Sequence, residues 1–395
     1  MKKEVIFFVN SMGGGGAERV IALLSNHLVD KGHKVFILTL VKCESLYELN
    51  SNVNCVNILD LPVCSFRNRL FRFFYWRFYR KFRKRIIAPI CRTLNFSFPI
   101  IEDTSSYYFF RYSLASREFL YNHQGAVAFA FLSPAQVTLA IASRGLNIKT
   151  VYCERSWPIG SSESVYMKEI RDKYARKYRF SVYQTQEQME YYSKIINGKK
   201  YLILNPVKSE LPSPYLGERE KRIICYCRLS PQKNLPLLID SFYDIHQKFP
   251  EFILEIYGTG PEEKRIRSII KKYKLDNSVY LKSFCKTIHQ EVLRAAMFVS
   301  TSDYEGLSNS MLESMAIGLP CICTDCDGGG AKAVIKDGEN GILVPKRDKE
   351  SVVGAIEKLI LNPDYANWLG RNAAKIREEL SVDKIVKQWM EIIND

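Results

Sequence analysis

The chain has 395 residues, more than one ordinary hydrophobic core accommodates, so about two domains of 150 to 200 residues each are expected. Hydrophobic residues make up 47% and charged residues 25% of the chain, which excludes collagen-like, low-complexity and wholly disordered proteins. The apolar runs are far shorter than the roughly 18 residues of a membrane span, and the start Met-Lys-Lys-Glu-Val lacks a signal-peptide core, so a cytoplasmic protein is expected.

The first predicted elements are a strand, a loop, a helix and a strand. Val5–Val9 is an apolar strand, Gly13–Gly16 is the loop, Ala17–Val29 has apolar residues at helical spacing, and Val35–Leu40 is the second strand. This order predicts a parallel sheet whose ligands lie at the carboxyl ends of its strands. The glycines either bring backbone amides to an anion near the positive end of the helix or form a tight turn for close packing.

A basic aromatic segment comes next. Residues 61–101 contain no Asp or Glu and ten Lys or Arg residues, which supply much of the formal charge of +15. From Leu70 to Ile86, a helical wheel places most aromatic residues on one half and most cations on the other. Such a helix either contacts an anionic membrane surface or packs on the first sheet. Nucleic-acid binding is not expected, because the sequence contains no recognised nucleic-acid-binding module. The residues expected at a membrane surface are Phe74, Arg77, Phe78, Arg80 and Arg83.

Strands and helices continue to alternate through the rest of the chain. The polar stretch Ser209–Glu220, with its Pro and Gly residues, predicts a linker between two such units. The later strands predicted before the linker are Ala126–Leu132, Thr150–Cys153, Ser181–Gln184 and Tyr201–Leu204. The elements predicted after it are strands at Arg222–Tyr226, Phe252–Tyr257, Val279–Leu281, Met297–Thr301 and Pro320–Thr324, and helices at Leu235–Phe249 and Glu262–Tyr273. Both halves are therefore expected to be doubly wound α/β units. The eleven cysteines lack Cys-x-x-Cys spacing, which predicts reduced, buried thiols.

Two cations follow the first strand of the second unit. Arg228 and Lys233 lie in the loop at the carboxyl end of that strand. A guanidinium fork and a compact ammonium suit a diphosphate ligand, although either cation alone is more often a solvated surface residue.

Two carboxylates border the same edge of the predicted sheet. Glu305 follows the strand Met297–Thr301, and Ser308 or Asn309 can cap a helix in which Glu313 lies about one turn from the start. The pair could serve a cationic transition state and a hydroxyl-rich ligand. The alternative is an N-terminal helix acid beside an ordinary surface acid.

In combination, these segments resemble the family-4 retaining glycosyltransferases of the GT-B fold. The matching segments are Gly14 to Arg19, Asn205-Pro206-Val207, Arg228 to Asn234, Gly258-Thr259-Gly260-Pro261, Glu305 to Glu313, Gly318-Leu319-Pro320 and Asp337 to Gly341. The resemblance is weakest between about Leu61 and Gln124. It implies an α/β protein with two Rossmann-like domains facing each other across a cleft. Residues 1–207 would form the acceptor-binding domain with the basic insert at about 61–124, residues 208–375 the nucleotide-sugar-binding domain, and residues 376–395 a helix crossing back to the first domain.

The resemblance also implies roles for individual residues. Arg228 and Lys233 would bind the donor diphosphate and stabilise the departing nucleotide, Glu305 would lie beside the donor sugar, and Glu313 would hold the ribose hydroxyls. Loop and backbone contacts to the donor are expected from further positions. These are Gly15, Gly16, Phe284, Lys286, Gly306, Leu307 and Ser308.

Two segments depart from the family pattern. Many members carry a His after a first-domain strand, where this chain has Glu154 and Arg155, which either contact the acceptor or donor sugar or form a structural ion pair. The sequence Asp325-Cys326-Asp327 spells a metal-binding Asp-x-Asp, but it precedes a glycine-rich segment that corresponds to the donor loop of the family, which needs no metal. We therefore expect neither a metal nor another cofactor.

The expected activity is transfer of a sugar, with retained anomeric configuration, from a nucleotide diphosphate sugar, most simply a UDP-sugar, to a hydroxyl of a glycan or polyprenyl-linked glycan. The alternative is an inactive GT-B scaffold that acts as a basic membrane-binding or nucleic-acid-binding protein. A dinucleotide-dependent oxidoreductase is disfavoured because the glycine loop lacks the Rossmann fingerprint. Contact with the inner face of the cell membrane would suit a lipid-linked acceptor.

Overall fold

Two parallel sheets flanked by helices form the protein. The computed structural model describes residues 2–61, 104–159, 165–215 and 217–395. The first sheet has the strand order β3-β2-β1-β4-β5-β6-β7 and the second β10-β9-β8-β11-β12-β13. Strand order reverses between β1 and β4 in the first sheet and between β8 and β11 in the second, and such switch points open a crevice at the carboxyl ends of the strands. The predicted pair of doubly wound α/β units is thus confirmed.

The first sheet and its helices occupy the N-terminal half of the chain. Their bounds are β1 Glu4–Val9, α1 Gly16–Asp30, β2 Lys34–Thr39, β3 Val53–Asn57, α2 Thr104–Tyr121, β4 Val127–Phe131, α3 Ser133–Ala142, β5 Lys149–Cys153, α4 Val165–Ala175, β6 Phe180–Tyr183, α5 Gln186–Ser193 and β7 Lys199–Leu202.

The second sheet and the last helices follow. Their bounds are β8 Glu220–Tyr226, α6 Leu235–Lys248, β9 Ile253–Tyr257, α7 Glu263–Lys272, β10 Val279–Lys282, α8 Ile288–Glu291, β11 Ala295–Ser300, α9 Asn309–Ala316, β12 Cys321–Asp325, β13 Ile342–Pro345, α10 Lys349–Leu361, α11 Pro363–Ala373, α12 Ile376–Glu379 and α13 Val382–Asn394.

Burial explains which strands the sequence reveals. The central strands β1 and β4 are buried on both faces, so they consist of almost continuous apolar residues that the sequence marks clearly. The strands β3 and β13 were not predicted. The former, Val-Asn-Cys-Val-Asn, lies at an edge of the first sheet with two exposed residues. The latter, Ile-Leu-Val-Pro, lies at an edge of the second sheet and ends in an exposed proline, so neither carries a distinct strand pattern.

The last helix, α13, packs on the first domain. Trp389 is 1% exposed, and its ring lies 5.2 Å from that of Phe129 and 5.9 Å from that of Phe131. The Nζ atoms of Lys3 and Lys149, both in the first domain, donate 2.6 Å hydrogen bonds to carbonyl oxygens in the last turn of this helix. Cations at this end also complement the negative end of the helix dipole.

The carboxyl ends of the two sheets meet at the domain interface. Arg19, in the first turn of α1 after β1, pairs with Glu313, which follows β11 in α9. Gln184, directly after β6, lies 3.4 Å from the backbone nitrogen of Leu307. The segments that follow β1 and β6 in the first domain therefore contact the segment that follows β11 in the second. In the parts of the chain that the structure describes, no helix is both long enough and apolar enough to span a bilayer.

Candidate active site

An ion pair lies at the switch point of the second sheet. Lys233 ends a short 3-10 turn after β8, and Asn234 turns the chain into α6 with a left-handed φ of 43°. Glu305 lies in the loop after β11, and its carboxylate pairs with the Lys233 ammonium. Burial disfavours the charged form of Lys233 and would lower its pKa. The adjacent Glu305 carboxylate has the larger effect and holds the pKa of Lys233 above its ordinary value. Lys233 is thus a fixed positive charge beside the carboxyl ends of β8 and β11.

The loop that carries Arg228 is held by a glycine segment. Leu229 N donates a 2.9 Å hydrogen bond to Thr259 O, and a Cβ at Gly258, whose φ is +147°, would overlap the Cys227 carbonyl oxygen. The Arg228 side chain is exposed and forms no hydrogen bond or ion pair with the described residues. Its guanidinium is therefore free to bind an anion.

The N-terminus of helix α9 points at the same region. Ser308, the residue before the helix, accepts a 3.4 Å hydrogen bond from Met311 N through Oγ, in agreement with the predicted cap. Asn205 of the first domain donates from Nδ2 to Leu307 O at 3.1 Å and lies 2.9 Å from Asn309 Oδ1. A first-domain amide thus orients the chain at the start of the helix.

Glu313 is buried between the two domains. One of its oxygens pairs with Nη2 of Arg19, and the other lies 3.0 Å from Nε2 of His289. Burial alone would raise the pKa of Glu313, but the His289 hydrogen bond and the Arg19 charge lower it to about 2. The carboxylate is therefore ionised, with each oxygen already oriented by one partner.

Glycines let the loops of the two domains approach closely. A Cβ at Gly306 would come within 2.8 Å of the Arg155 carbonyl oxygen, so a side chain there would push the domains apart. In the glycine segment after β12, Gly328 N donates a 2.9 Å hydrogen bond to the carboxylate of Glu187, in the first turn of α5, and Lys332 pairs with the same carboxylate. The glycine-rich segment thus lies against the first domain.

The aspartates of the Asp-x-Asp sequence are paired with lysines. Asp327 pairs with Lys346, and Asp325 lies 3.5 Å from Lys332 Nζ. Both carboxylates therefore already have cationic partners.

The loop after β10 presents an aromatic ring to solvent. Phe284 is 70% exposed, and Lys286 beside it is also exposed. A ring left exposed at the carboxyl end of a strand can stack on a nucleotide base.

The first-domain candidates make mostly internal contacts. Gly15 N donates a 3.1 Å hydrogen bond to Tyr47 Oη, so this amide is already satisfied, and Gly16 O accepts from Asn309 Nδ2 at 3.3 Å. Glu154 is buried, and its carboxylate accepts hydrogen bonds from Arg155 N, from Ser156 N and from Tyr152 Oη. This geometry favours a structural role for Glu154 at the strand end.

Arg155 does not form the structural ion pair considered above. Its guanidinium lies 5.0 Å from the ring of Phe131 and 5.2 Å from that of Trp389, and Nη1 donates to Asn205 Oδ1 at 3.1 Å. Burial lowers the pKa of Arg155 to about 10. The Glu154 carboxylate turns to the backbone instead, because its own loop supplies two N–H donors. The predicted membrane-contact residues lie outside the described residues, as does the rest of the segment from Pro62 to Asp103.

Sequence reasoning missed several groups that complete the interface. Arg19 belongs to the matching segment Gly14 to Arg19, but the sequence predicts no role for its side chain. The sequence likewise predicts no contact for His289, Asn205 or Glu187. Each acts through a partner distant in the chain, so no local spacing marks it.

Part of the chain matches a known family. Residues 209–376 match the family model described as glycosyl transferases group 1. A Haemophilus influenzae protein named an uncharacterized glycosyltransferase is 22% identical over the full length of both chains. A Bacillus subtilis poly(glycerol-phosphate) alpha-glucosyltransferase is 29% identical over 53% of this chain, and that match spans only 32% of the relative's own length. The homologues are thus glycosyltransferases.

Solved structures show the same fold over the whole chain. Crystallised TarM superposes with a TM-score of 0.77 at 15% identity, covering 100% of this chain and 99% of that one. Anabaena HepE in complex with UDP and glucose gives a TM-score of 0.76 at 17% identity, with both chains fully covered. The protein therefore has the GT-B fold, two Rossmann-like domains whose sheets face each other through their carboxyl ends.

Proposed function

We propose that this chain is a retaining glycosyltransferase. It transfers a sugar from a nucleotide diphosphate sugar, most simply a UDP-sugar, to a hydroxyl of a glycan or lipid-linked glycan during synthesis of cell-surface polysaccharide or glycoconjugate. The observation that carries this proposal is the Lys233–Glu305 ion pair at one switch point, with Arg228 in the same loop as Lys233 and the N-terminal cap of a helix three residues after Glu305. The glycosyltransferase relatives support the reaction class.

The cations would act on the leaving nucleotide. A diphosphate gains negative charge as its bond to the sugar breaks, and preorganised positive groups stabilise that charge in the transition state more than in the substrate. Arg228 offers an exposed guanidinium that pairs with none of the described residues, Lys233 an ammonium fixed by its neighbour, and helix α9 the positive end of its dipole. These groups suit departure of a nucleoside diphosphate without a metal ion, so we expect activity to persist in excess EDTA.

Glu305 would act on the sugar rather than on the phosphates. A carboxylate beside the anomeric carbon favours the positive charge that develops there, and it can position the donor sugar by accepting hydrogen bonds from hydroxyls. The departing phosphate oxygen would take the acceptor proton on the same face of the sugar. Retention then follows without assigning Glu305 as a covalent nucleophile.

A donor screen tests the proposal. A ligand that binds only the folded protein raises its unfolding temperature by an amount that grows with the ratio of ligand concentration to Kd, so UDP, GDP and ADP sugars at equal concentration can be ranked by thermal shift. We expect a UDP-sugar to rank first and to be hydrolysed slowly to UDP, with the released sugar first appearing by NMR as the anomer of the donor. Binding of no nucleotide sugar would favour the inactive scaffold instead. Absence of a nicotinamide-linked absorbance change would count further against an oxidoreductase.

The basic aromatic segment suggests where the acceptor is met. We infer from its sequence that it contacts an anionic membrane at the cytoplasmic face, where a polyprenyl-linked acceptor would present its headgroup. Flotation with anionic liposomes should recover the wild-type chain. Replacement of Arg77, Arg80 and Arg83 by Glu should abolish recovery, whereas the same charge change at exposed Arg265, Arg267 and Lys271 should not. Equal recovery of both triple variants would refute membrane contact.

A further inference from the structure

The donor site of the second domain contains a contact from the first domain. Arg19 follows the glycine loop in the first turn of α1, and its Nη2 pairs with Glu313, the carboxylate expected to hold the ribose hydroxyls. The Arg19 side chain is 16% and the Glu313 side chain 5% exposed. The pair thus lies between the domains, away from bulk solvent.

The glycine loop makes this contact possible. Gly16 O accepts a 3.3 Å hydrogen bond from Asn309 Nδ2, and a Cβ at Gly16 would lie 3.1 Å from that nitrogen. The start of α1 therefore sits directly against the start of α9. The Gly15 amide already donates to Tyr47 Oη, so it is not available to bind an anion. Close approach of α1 and α9 therefore explains these glycines better than anion binding at Gly15.

The carboxylate keeps acceptor capacity for a ligand. An ionised carboxylate offers about four lone-pair sites, and Arg19 and His289 use one on each oxygen. One site per oxygen remains, which matches a vicinal diol with two O–H donors. Lys208 is a further cation near Glu313, and Tyr226 and Tyr47 are the nearby hydroxyls.

We propose that Arg19 is a positioning residue of the donor site, supplied by the opposite domain, which orients the Glu313 carboxylate for the two ribose hydroxyls. Recognition of the ribose is then complete only when the domains are closed, because Glu313 receives Arg19 from across the interface. This inference rests on the proposed function, since it takes a nucleoside diphosphate as the ligand.

Ribose analogues test this role. UDP and 2′,3′-dideoxy-UDP binding would be measured by calorimetry for wild type, Arg19→Met, Arg19→Lys and Glu313→Gln. We expect the wild type to prefer UDP at least tenfold, Arg19→Met and Glu313→Gln to lose most of that preference, and Arg19→Lys to keep part of it. A chain that combines Arg19→Met with Glu313→Gln should bind UDP no more weakly than Glu313→Gln alone, because Arg19 acts through the Glu313 carboxylate.

Other outcomes distinguish failure of the Arg19 proposal from failure of the proposed function. If Arg19→Met lowers the affinity for UDP and for 2′,3′-dideoxy-UDP equally, Arg19 only holds the domains together. If Arg19→Met raises the affinity for UDP, Arg19 competes with the ligand. Either result overturns the proposal. The matched control Arg267→Met removes an exposed arginine paired with Glu263 and should behave as wild type. Failure of the wild-type chain to bind UDP or any other nucleoside diphosphate would instead refute the proposed function. Arg19→Lys keeps the test valid should Arg19→Met not fold.

Discussion

The two domains use their sheet-edge loops in opposite ways. In the second domain these loops leave Arg228 and Phe284 exposed, and no described residue forms a hydrogen bond or ion pair with the Arg228 side chain that would compete with a ligand. In the first domain Glu154 occupies an equivalent edge, yet its carboxylate accepts hydrogen bonds from neighbouring protein groups. Arg155 beside it donates from Nη1 to Asn205, while its Nε and Nη2 have no hydrogen-bond partner among the described residues. A polar group satisfied within the protein gains little from a ligand, whereas an exposed one can be used by it. The contrast supports the proposed donor site in the second domain, where Arg228 and Phe284 are exposed, and a structural role for Glu154 in the first.

This contrast predicts that changes to the core of the first domain, including the side chains of α13 that pack into it, act on stability. Trp389→Ala removes a buried indole that packs on Phe129 and Phe131, and such a cavity should lower the free energy of unfolding by about 3–5 kcal/mol. Urea denaturation measures the change, and Trp368→Ala is the matched control because that indole is 42% exposed. A similar loss in both variants would show that α13 contributes no specific packing to the first domain.

Changes in the second domain should act on catalysis. Lys233→Met removes a fixed charge beside the leaving diphosphate, and loss of one such group should lower kcat by roughly 10²–10³-fold. The control Lys248→Met breaks another Lys–Glu pair, with Glu357 on the surface, and should leave kcat unchanged. Steady-state kinetics with the preferred donor decide the matter. A rise in KM with unchanged kcat would mean that Lys233 binds donor and transition state equally.

Glu313 is expected to contribute both to stability and to donor binding. The pH dependence of unfolding measures its contribution to stability. Its pKa falls from an ordinary 4.5 to about 2 in the folded chain, so its stabilisation is present above about pH 4.5 and is lost as pH falls toward 2. The difference in unfolding free energy between wild type and Glu313→Gln should therefore shrink by about 3 kcal/mol over that interval. Urea unfolding at several pH values measures it, with Glu263→Gln as control, because the Glu263 side chain is 43% exposed. A difference independent of pH would show that Glu313 is not held ionised by Arg19 and His289.

The same contrast explains what the sequence could predict. Buried central strands, the Ser308 cap and the placement of Lys233 and Glu305 after strands follow from local pattern, because parallel strands bring their carboxyl ends to one edge. Arg19 with Glu313, and Asn205 with Asn309, are pairs between domains. Their existence depends on how two complete domains dock, which no spacing in the chain records. The resemblance supplied roles for the second-domain residues but no role for Arg19.

The mildest test uses Arg228, an exposed residue of the second domain. Arg228→Ala removes a side chain without a described partner, so the free energy of unfolding should change by less than about 0.5 kcal/mol. Donor affinity should still fall by about 1.5–3 kcal/mol, or roughly ten- to a hundredfold, because a charged hydrogen bond to the diphosphate is lost. Arg294→Ala provides the control, since Arg294 precedes β11 and lies at the opposite edge of the same sheet. Calorimetric titration with UDP and urea denaturation of both variants measure the two quantities. If Arg228→Ala binds UDP as tightly as Arg294→Ala, an exposed cation at this edge does not by itself mark a ligand contact, and the contrast between the domains would rest on Lys233 and Glu305 alone.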